Sequence, residues 1–314
     1  MKRESVERDR SKFIGGSDVA AVLGVSPWKT PYELWMEKTH RAPKEVIDPQ
    51  RQKIFDRGHR LEPIVLDMLM DRLRDEGHDV ELIRTNELYQ DAEFPFMACE
   101  IDFELMLNGE HVNGDCKTVH PFAAKKWGDE GTDEVPIEYA AQFMQGLGIT
   151  GRRRCLVATL IGMDDFLIYW VDRDEETIAG IRGRVAEYWN ECVIGDTAPD
   201  AITYDDASAI WAKSDGTTIE ADSATRDAVY ELADVKRKIK LLEEREEDLK
   251  LCIADFMRPH SFLTAGGNEI ASWKNQFDTR ISVDELRKEL PEIAVKYSRT
   301  KEIRVLRLKK AKAK

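Results

Sequence analysis

Residues 97–120, MACEIDFELMLNGEHVNGDCKTVH, hold two strand-like runs broken by Asn108-Gly109. An Asn-Gly pair accepts the left-handed backbone of a tight two-residue turn, so it predicts a β-hairpin. The strand pattern begins at residue 82 and runs to 107, and the return strand is expected over 112–119. Asp102 falls on the outgoing strand, with Asp115 and Lys117 on the return strand. Residues i and i+2 share one face of a strand, so Asp115 and Lys117 point the same way.

On the N-terminal side, a helix over 61–74 is predicted from Ile64, Val65, Met68 and Leu69. Pro31 opens a helix through PYELWMEKTH, with Leu34 and Trp35 as its apolar face. Gly15-Gly16 makes a turn into a short helix over 17–23, with Ser17 near its start. On the C-terminal side, Pro136 opens a helix through Tyr139, Ala140, Phe143 and Leu147, ended by Gly151. Strands are expected over 155–160 and 166–171, joined by residues 162–165, followed by a helix with Ile178, Ile181, Val185 and Trp189. This order predicts an α/β fold, a central mixed sheet flanked by helices, in a domain spanning 1–200.

A C-terminal extension, 201–314, has a different character. Residues 224–257 read as one amphipathic helix, with Val229, Leu232, Val235, Ile239, Leu242, Leu249 and Phe256 near heptad spacing. Packing on the body or a neighbouring subunit is preferred to an extended coiled coil, because Glu246 interrupts a short apolar run. Strands over 269–273 and 303–308 are expected to flank a helix over 282–289 capped by Ser282, giving a small α+β end. The last residues, RVLRLKKAKAK, are basic.

Composition narrows the classes. The chain has 314 residues, 42% of them hydrophobic, and a mean hydropathy of -0.49. It has no apolar run long enough for a membrane span and no apolar stretch near its charged N-terminus for a signal peptide. Five scattered cysteines without a CxxC pair indicate neither a disulfide framework nor a zinc site, and a cytoplasmic location is expected. A net charge of -13 argues against nonspecific coating of nucleic acid. A local basic channel, or metal ions neutralising carboxylates, would still let such a body grip DNA.

The hairpin is also where chemistry concentrates. Phosphodiester hydrolysis needs a metal ion to lower the pKa of the attacking water and offset charge on the phosphate. Hard oxygen ligands suit Mg²⁺ or Mn²⁺, and one or two carboxylates plus substrate oxygens suffice. A neighbouring lysine orients the water or stabilises the phosphate in the transition state. Asp-x-Lys alone is common in acidic proteins, where it is usually a solvated ion pair. Glu62, in RGHRLEPIV, adds a carboxylate from the helix before the sheet. Gln142 follows Tyr139 by three residues on one helical face. Alone, Glu62 reads first as a surface helix residue, and Gln142 as a satisfied amide on a partly buried helix.

Four segments occur together in order: IGGSDVAAVLGVSPWKTPYELWMEKT, RGHRLEPIVLDML, ACEIDFEL with NGDCKT, and EYAAQFMQGLGITG. Over residues 10–195 the chain resembles the YqaJ-type viral recombinases, which include the phage lambda-type exonuclease and belong to the PD-(D/E)XK nuclease superfamily. The resemblance implies a restriction-endonuclease-like core with Asp102, Asp115 and Glu62 as metal ligands and Lys117 as the catalytic lysine. Tyr139 and Gln142 match the family's helix pair, and Arg10 and Ser17 a pair that holds the substrate's 5′-phosphate. Departures exist: Cys99-Glu100-Ile101 precedes Asp102 where the lambda-type pattern has Ser and Pro, and Glu100 would repel a phosphate. No Arg follows Lys117 at the family spacing; Lys125 or Lys126 offers a point charge instead.

The resemblance therefore implies a Mg²⁺-dependent exonuclease that digests one strand of linear duplex DNA, 5′ to 3′, for phage-type recombination. It further implies a ring-shaped homotrimer, a single-strand annealing partner, and a bacterial host cytoplasm. Two rivals share these residues: an endonuclease on the same core, and a non-catalytic assembly module whose helix 224–257 recruits a recombination partner. A module of the second kind has no need of a carboxylate cluster beside a lysine.

Overall fold

The computed structural model describes residues 9–42, 49–300 and 302–309. Residues 1–8 of the charged N-terminus and 310–314 of the basic tail lie outside the described residues. Two compact units divide the chain, the first ending at Ile210 and the second beginning at Trp211.

The first unit opens with α1 (Gly16–Val22), α2 (Pro31–Lys38) and α3 (Pro49–Asp75). Thr30 caps α2 by accepting the Glu33 N–H, and Glu33 reaches back to the Thr30 N–H. Strands β1 (Val80–Gln90), β2 (Ala98–Leu107) and β3 (Glu110–Val119) form a meander, and α4 (Ile137–Thr150) leads to β4 (Arg154–Ile161) and β5 (Asp165–Asp172). Then come α5 (Glu175–Glu187), a π-helical turn over Tyr188–Ile194 that buries Trp189, and α6 (Tyr204–Ile210). The expected α/β architecture is what forms: one mixed five-stranded sheet, ordered β1-β2-β3-β4-β5, with helices on both faces. Only β3 and β4 run parallel, because α4 carries the chain back between them.

The hairpin forms at the Asn-Gly pair, with Asn108 and Gly109 at φ 49° and 82°. Gly151, at φ 71°, ends α4 as expected. Helix α3, however, starts at Pro49 rather than at residue 61. The added turns are largely exposed and carry no apolar periodicity, so the pattern gave no signal there. Pro63 lies inside α3 on its exposed side, where it removes one backbone donor without ending the helix. Helix α6 was not foreseen; Asp206 accepts from Thr30 Oγ1 at 2.8 Å and ties it to the start of α2.

One face of the sheet is dry. Val65, Leu69 and Leu73 of α3 pack on Phe103, Leu105, Val112, Leu156 and Ala158. The other face meets α4 and α5 through Phe143, Leu147, Val157, Tyr169 and Ile178.

In the second unit, α7 (Ser223–Met257) is capped by Asp222, which accepts the Thr225 N–H at 2.7 Å. Val229, Val235, Ile239, Leu242, Leu249 and Phe256 are exposed along it. A hairpin of β6 (Phe262–Ala265) and β7 (Asn268–Ser272) turns at Gly266-Gly267, followed by α8 (Val283–Glu289), capped by Ser282, and α9 (Pro291–Tyr297). The strand expected over 303–308 does not form among the described residues. Its alternation suits a strand, but β7 pairs with β6 across the Gly266-Gly267 turn, which costs less loop closure than a distant partner. Among the described residues no helix is long and apolar enough to cross a membrane.

Candidate active site

The β2–β3 ladder runs from Leu107↔Glu110 to Phe103↔Gly114 and stops there. Gly114 is required at that point, since a Cβ there would lie 1.9 Å from the Phe103 ring. Beyond it, Asp102 Oδ2 accepts the Cys116 N–H at 2.9 Å, a side chain standing in for a ladder bond. On its other edge β3 stays paired with β4 as far as Val119↔Ile161.

Asp115 and Lys117 both point toward α4. Asp115 is 4% exposed, its Oδ1 lies 2.5 Å from Lys117 Nζ, and its Oδ2 accepts from Gln142 Nε2 at 3.1 Å. Oδ1 is buried and faces the Lys117 ammonium. The Lys117 ammonium lies 5.0 Å from the Tyr139 ring and 5.6 Å from the Phe143 ring. Tyr139 and Gln142 thus act from one face of α4, as their spacing predicted.

Burial pushes the Asp115 carboxyl up to about 7; Asp102 and Glu62 add to this, against Lys117. Burial alone would lower Lys117, yet the carboxylates of Asp115 and Asp102 outweigh it and hold the ammonium above its ordinary value. Burial also raises Tyr139. The cluster therefore carries more negative potential than its one lysine neutralises.

That excess is what a hard cation would relieve. Asp102 and Asp115 supply oxygen donors of the kind Mg²⁺ takes, and burial disfavours the charged Asp115 carboxylate in the absence of further positive charge. Among the described residues no three Asp, Glu, His or Cys side chains converge into a complete cage. Two carboxylates, with water and a substrate phosphate filling the remaining positions, fit that arrangement. Glu62 lies on α3, where its carbonyl is 3.7 Å from Cys116 Sγ; its charge reaches Asp115, but it does not complete a three-ligand group.

Arg10 and Ser17 meet: Arg10 Nη2 donates to Ser17 Oγ at 2.8 Å. They adjoin the carboxylates through Gly16, where a Cβ would lie 3.1 Å from Gln142 Cγ. Exposed Glu100 borders the same small hollow as Asp115 and Gln142. Lys125 and Lys126 are exposed on a 3-10 turn, Pro121–Lys126, after β3, with Lys126 Nζ 3.9 Å from Glu138. Neither touches the carboxylates.

Sequence reasoning missed Asp18 and Lys38. Lys38 Nζ, its side chain 3% exposed, donates to Asp18 Oδ2 at 2.8 Å and to the Arg10 carbonyl at 2.7 Å, and Asp18 accepts the Gly15 N–H. This buried pair fixes the segment that brings Arg10 to Ser17. It also missed Trp28 and Trp127, each with its ring 5.7 Å from Tyr139. No local pattern marks contacts between such distant positions.

A family model described as the YqaJ-like viral recombinase domain matches residues 7–153. Uncharacterized protein YqaJ of Bacillus subtilis (strain 168) is 30% identical over 303 residues, covering 93% of this chain and 90% of that protein. Among solved structures, LHK-Exo of Laribacter hongkongensis in complex with dAMP is 19% identical with a TM-score of 0.44, covering 60% of this chain and 90% of that chain. A phage related exonuclease from Haemophilus somnus 129PT is 14% identical with a TM-score of 0.39, covering 59% and 96%.

Proposed function

The chain belongs to the YqaJ-like viral recombinase family, and from that premise we propose that it is a metal-dependent deoxyribonuclease. It digests one strand of linear duplex DNA from an end, 5′ to 3′, and so supplies single strands for recombination. The observation that carries this reading is Asp115, buried against Lys117, with a second carboxylate, Asp102, adding negative potential that the one lysine does not cancel. A structural ion pair would carry no such excess of negative charge.

Asp102 and Asp115 are the residues that would hold Mg²⁺ or Mn²⁺, with Glu62 on α3 adding negative charge nearby. Bound there, the ion supplies positive charge that acidifies the attacking water and offsets charge on the phosphate. Gln142 fixes the Asp115 carboxylate through Oδ2. Lys117, supported by the Tyr139 ring, directs its ammonium at the reacting phosphate and stabilises the charge that develops there. Arg10 and Ser17 take the 5′-phosphate of the end, a role that needs the Arg10 guanidinium to turn from Ser17 to the ligand. Lys125 and Lys126 meet the backbone of the duplex.

With a net charge of -13, the protein holds DNA by enclosure more than by electrostatic grip, which favours the family-type homotrimeric ring. Its product is the substrate of a single-strand annealing protein, and its place of action is the cytoplasm of a bacterial host.

The test is digestion of end-labelled linear duplex and of covalently closed circles, each with and without Mg²⁺. Linear DNA is expected to lose nucleotides only with the metal, while the circle stays intact. Nicking or cleavage of the circle transfers the reading to an endonuclease, and no cleavage of either removes it.

A further inference from the structure

The first unit holds five tryptophans, and three of them behave as core. Trp35, Trp127 and Trp189 are at most 9% exposed, whereas Trp28 is 56% exposed. Trp28 is nevertheless held firmly. It sits on the loop between α1 and α2, where Gly24 turns the chain at φ 72° and Pro27 fixes the backbone before it. Ser26 Oγ accepts the N–H groups of Trp28 and Lys29 at 3.2 and 3.3 Å, and the Thr30 capping box closes the loop onto α2. The ring is therefore presented to solvent from a braced position.

Its inner side meets Tyr139, with ring centroids 5.7 Å apart at 43°. Tyr139 is the residue on which the Lys117 ammonium lies. A series of aromatic contacts thus leads from the reacting lysine outward to an exposed indole. A nucleotide whose phosphate is held at Lys117 carries its base one sugar away, and every base offers an apolar face to such a ring.

We propose that Trp28 is the stacking platform for the base beside the scissile phosphate, a proposal that rests on the nuclease reading above. Its ligand is a nucleobase of any identity, since stacking on an indole is tolerant of sequence. It binds the base without touching the reacting atoms, so it positions the phosphate for Lys117 and the carboxylates.

The test compares full-length wild type, Trp28→Ala, Trp28→Phe and Trp211→Ala with Mg²⁺ on linear duplex. Trp211, also 56% exposed but in the second unit, controls for loss of any exposed indole. Each protein digests intact duplex and duplexes with an abasic residue at the first or second nucleotide of the digested strand. Trp28→Ala is expected to raise KM about tenfold, with kcat falling less. Trp28→Phe should recover most of that loss, and Trp211→Ala should match wild type. At one abasic position wild type should lose what Trp28→Ala lost, while Trp28→Ala loses nothing more.

Equal KM for wild type and Trp28→Ala, or an equal abasic penalty in both, overturns the stacking role. If Trp28→Ala does not fold, the wild-type abasic penalty and the Trp28→Phe KM decide: with no penalty at either position the role is excluded. Wild type that leaves all DNA intact sinks the nuclease reading and the platform together. Cleavage indifferent to Trp28 sinks only the platform.

Discussion

Two buried carboxylates stand on the same face of the sheet, on adjacent strands, and meet opposite electrostatic fates. Glu104, on β2, is 0% exposed and accepts from Tyr89 Oη at 2.5 Å, Arg152 Nη2 at 2.8 Å and, with its tautomer set to donate, His111 Nε2 at 3.0 Å. Burial alone would raise it, but Tyr89, Arg152 and His111 outweigh burial and hold its carboxyl below the ordinary value. Asp115, on β3, is 4% exposed, has one lysine beside it, and is pushed the other way by burial and Asp102. Full compensation marks a group that fastens the fold, and Arg152 also donates to Asn113, across the ladder from Glu104. Incomplete compensation is what the proposed metal ion would relieve. Strand and burial class alone would not separate the two.

The largest expected effect tests the uncompensated side. Removing divalent metal with excess EDTA should abolish digestion of linear duplex, and Mg²⁺ or Mn²⁺ should restore it, whereas Ca²⁺ binds without turnover. Full activity in EDTA would make Asp115 merely strained. Next, Lys117→Ala should lower kcat by about 10²-fold or more with DNA binding retained, because its proposed role is in the transition state. Single-turnover kinetics at saturating DNA read that loss directly.

The compensated side should respond in stability instead. Glu104→Gln leaves Arg152, 11% exposed, short of its charge partner; a loss of about 3 kcal/mol is expected, a fall in Tm of roughly 6 to 12 °C. Cleavage per folded molecule should stay at the wild-type level. A dead but stable Glu104→Gln protein would erase the distinction drawn here.

The smallest effect is in pH dependence. A carboxyl raised from 3.8 to about 7 contributes stability that is present at low pH and lost as pH rises through 7. In EDTA the first unit should therefore weaken between about pH 4 and 7. Asp102→Asn keeps an oxygen for the Cys116 N–H but removes a charge that raises Asp115, so the upper end of that window should move down. Urea melts across the pH series measure it, and an unmoved window would mean Asp102 does not act on Asp115.

Residues differ in how far sequence revealed them for physical reasons. The hairpin, and with it the common side of Asp115 and Lys117, follows from local rules, a turn pair and the two-residue period of a strand. Helix α4 follows likewise, so Tyr139 and Gln142 were readable as one face. The early turns of α3 were hidden because their exposed surface carries no apolar period, and Gly58 and Pro63 resemble breakers. Glu104 reads as one more residue in a strand, since its partners at 89, 111 and 152 converge only in three dimensions. The same holds for the Asp18–Lys38 pair and for Trp28 against Tyr139. Alternation over 303–308 misled because it specifies a strand's faces but not its neighbour.

The parallel pairing of β3 with β4 has a bearing on how the protein acquires its chemistry during synthesis. Asp102, Asp115, Lys117, Tyr139 and Gln142 fall within one strand–strand–helix stretch, closed when β4 seats at Thr159 beside Lys117. Loop closures this short are fast, so the constellation can assemble once β4 leaves the ribosome, before the second unit has been translated. Ribosome-stalled chains long enough to carry β4 clear of the exit tunnel, yet ending before the second unit is complete, would then already shield the Lys117 amide from hydrogen exchange.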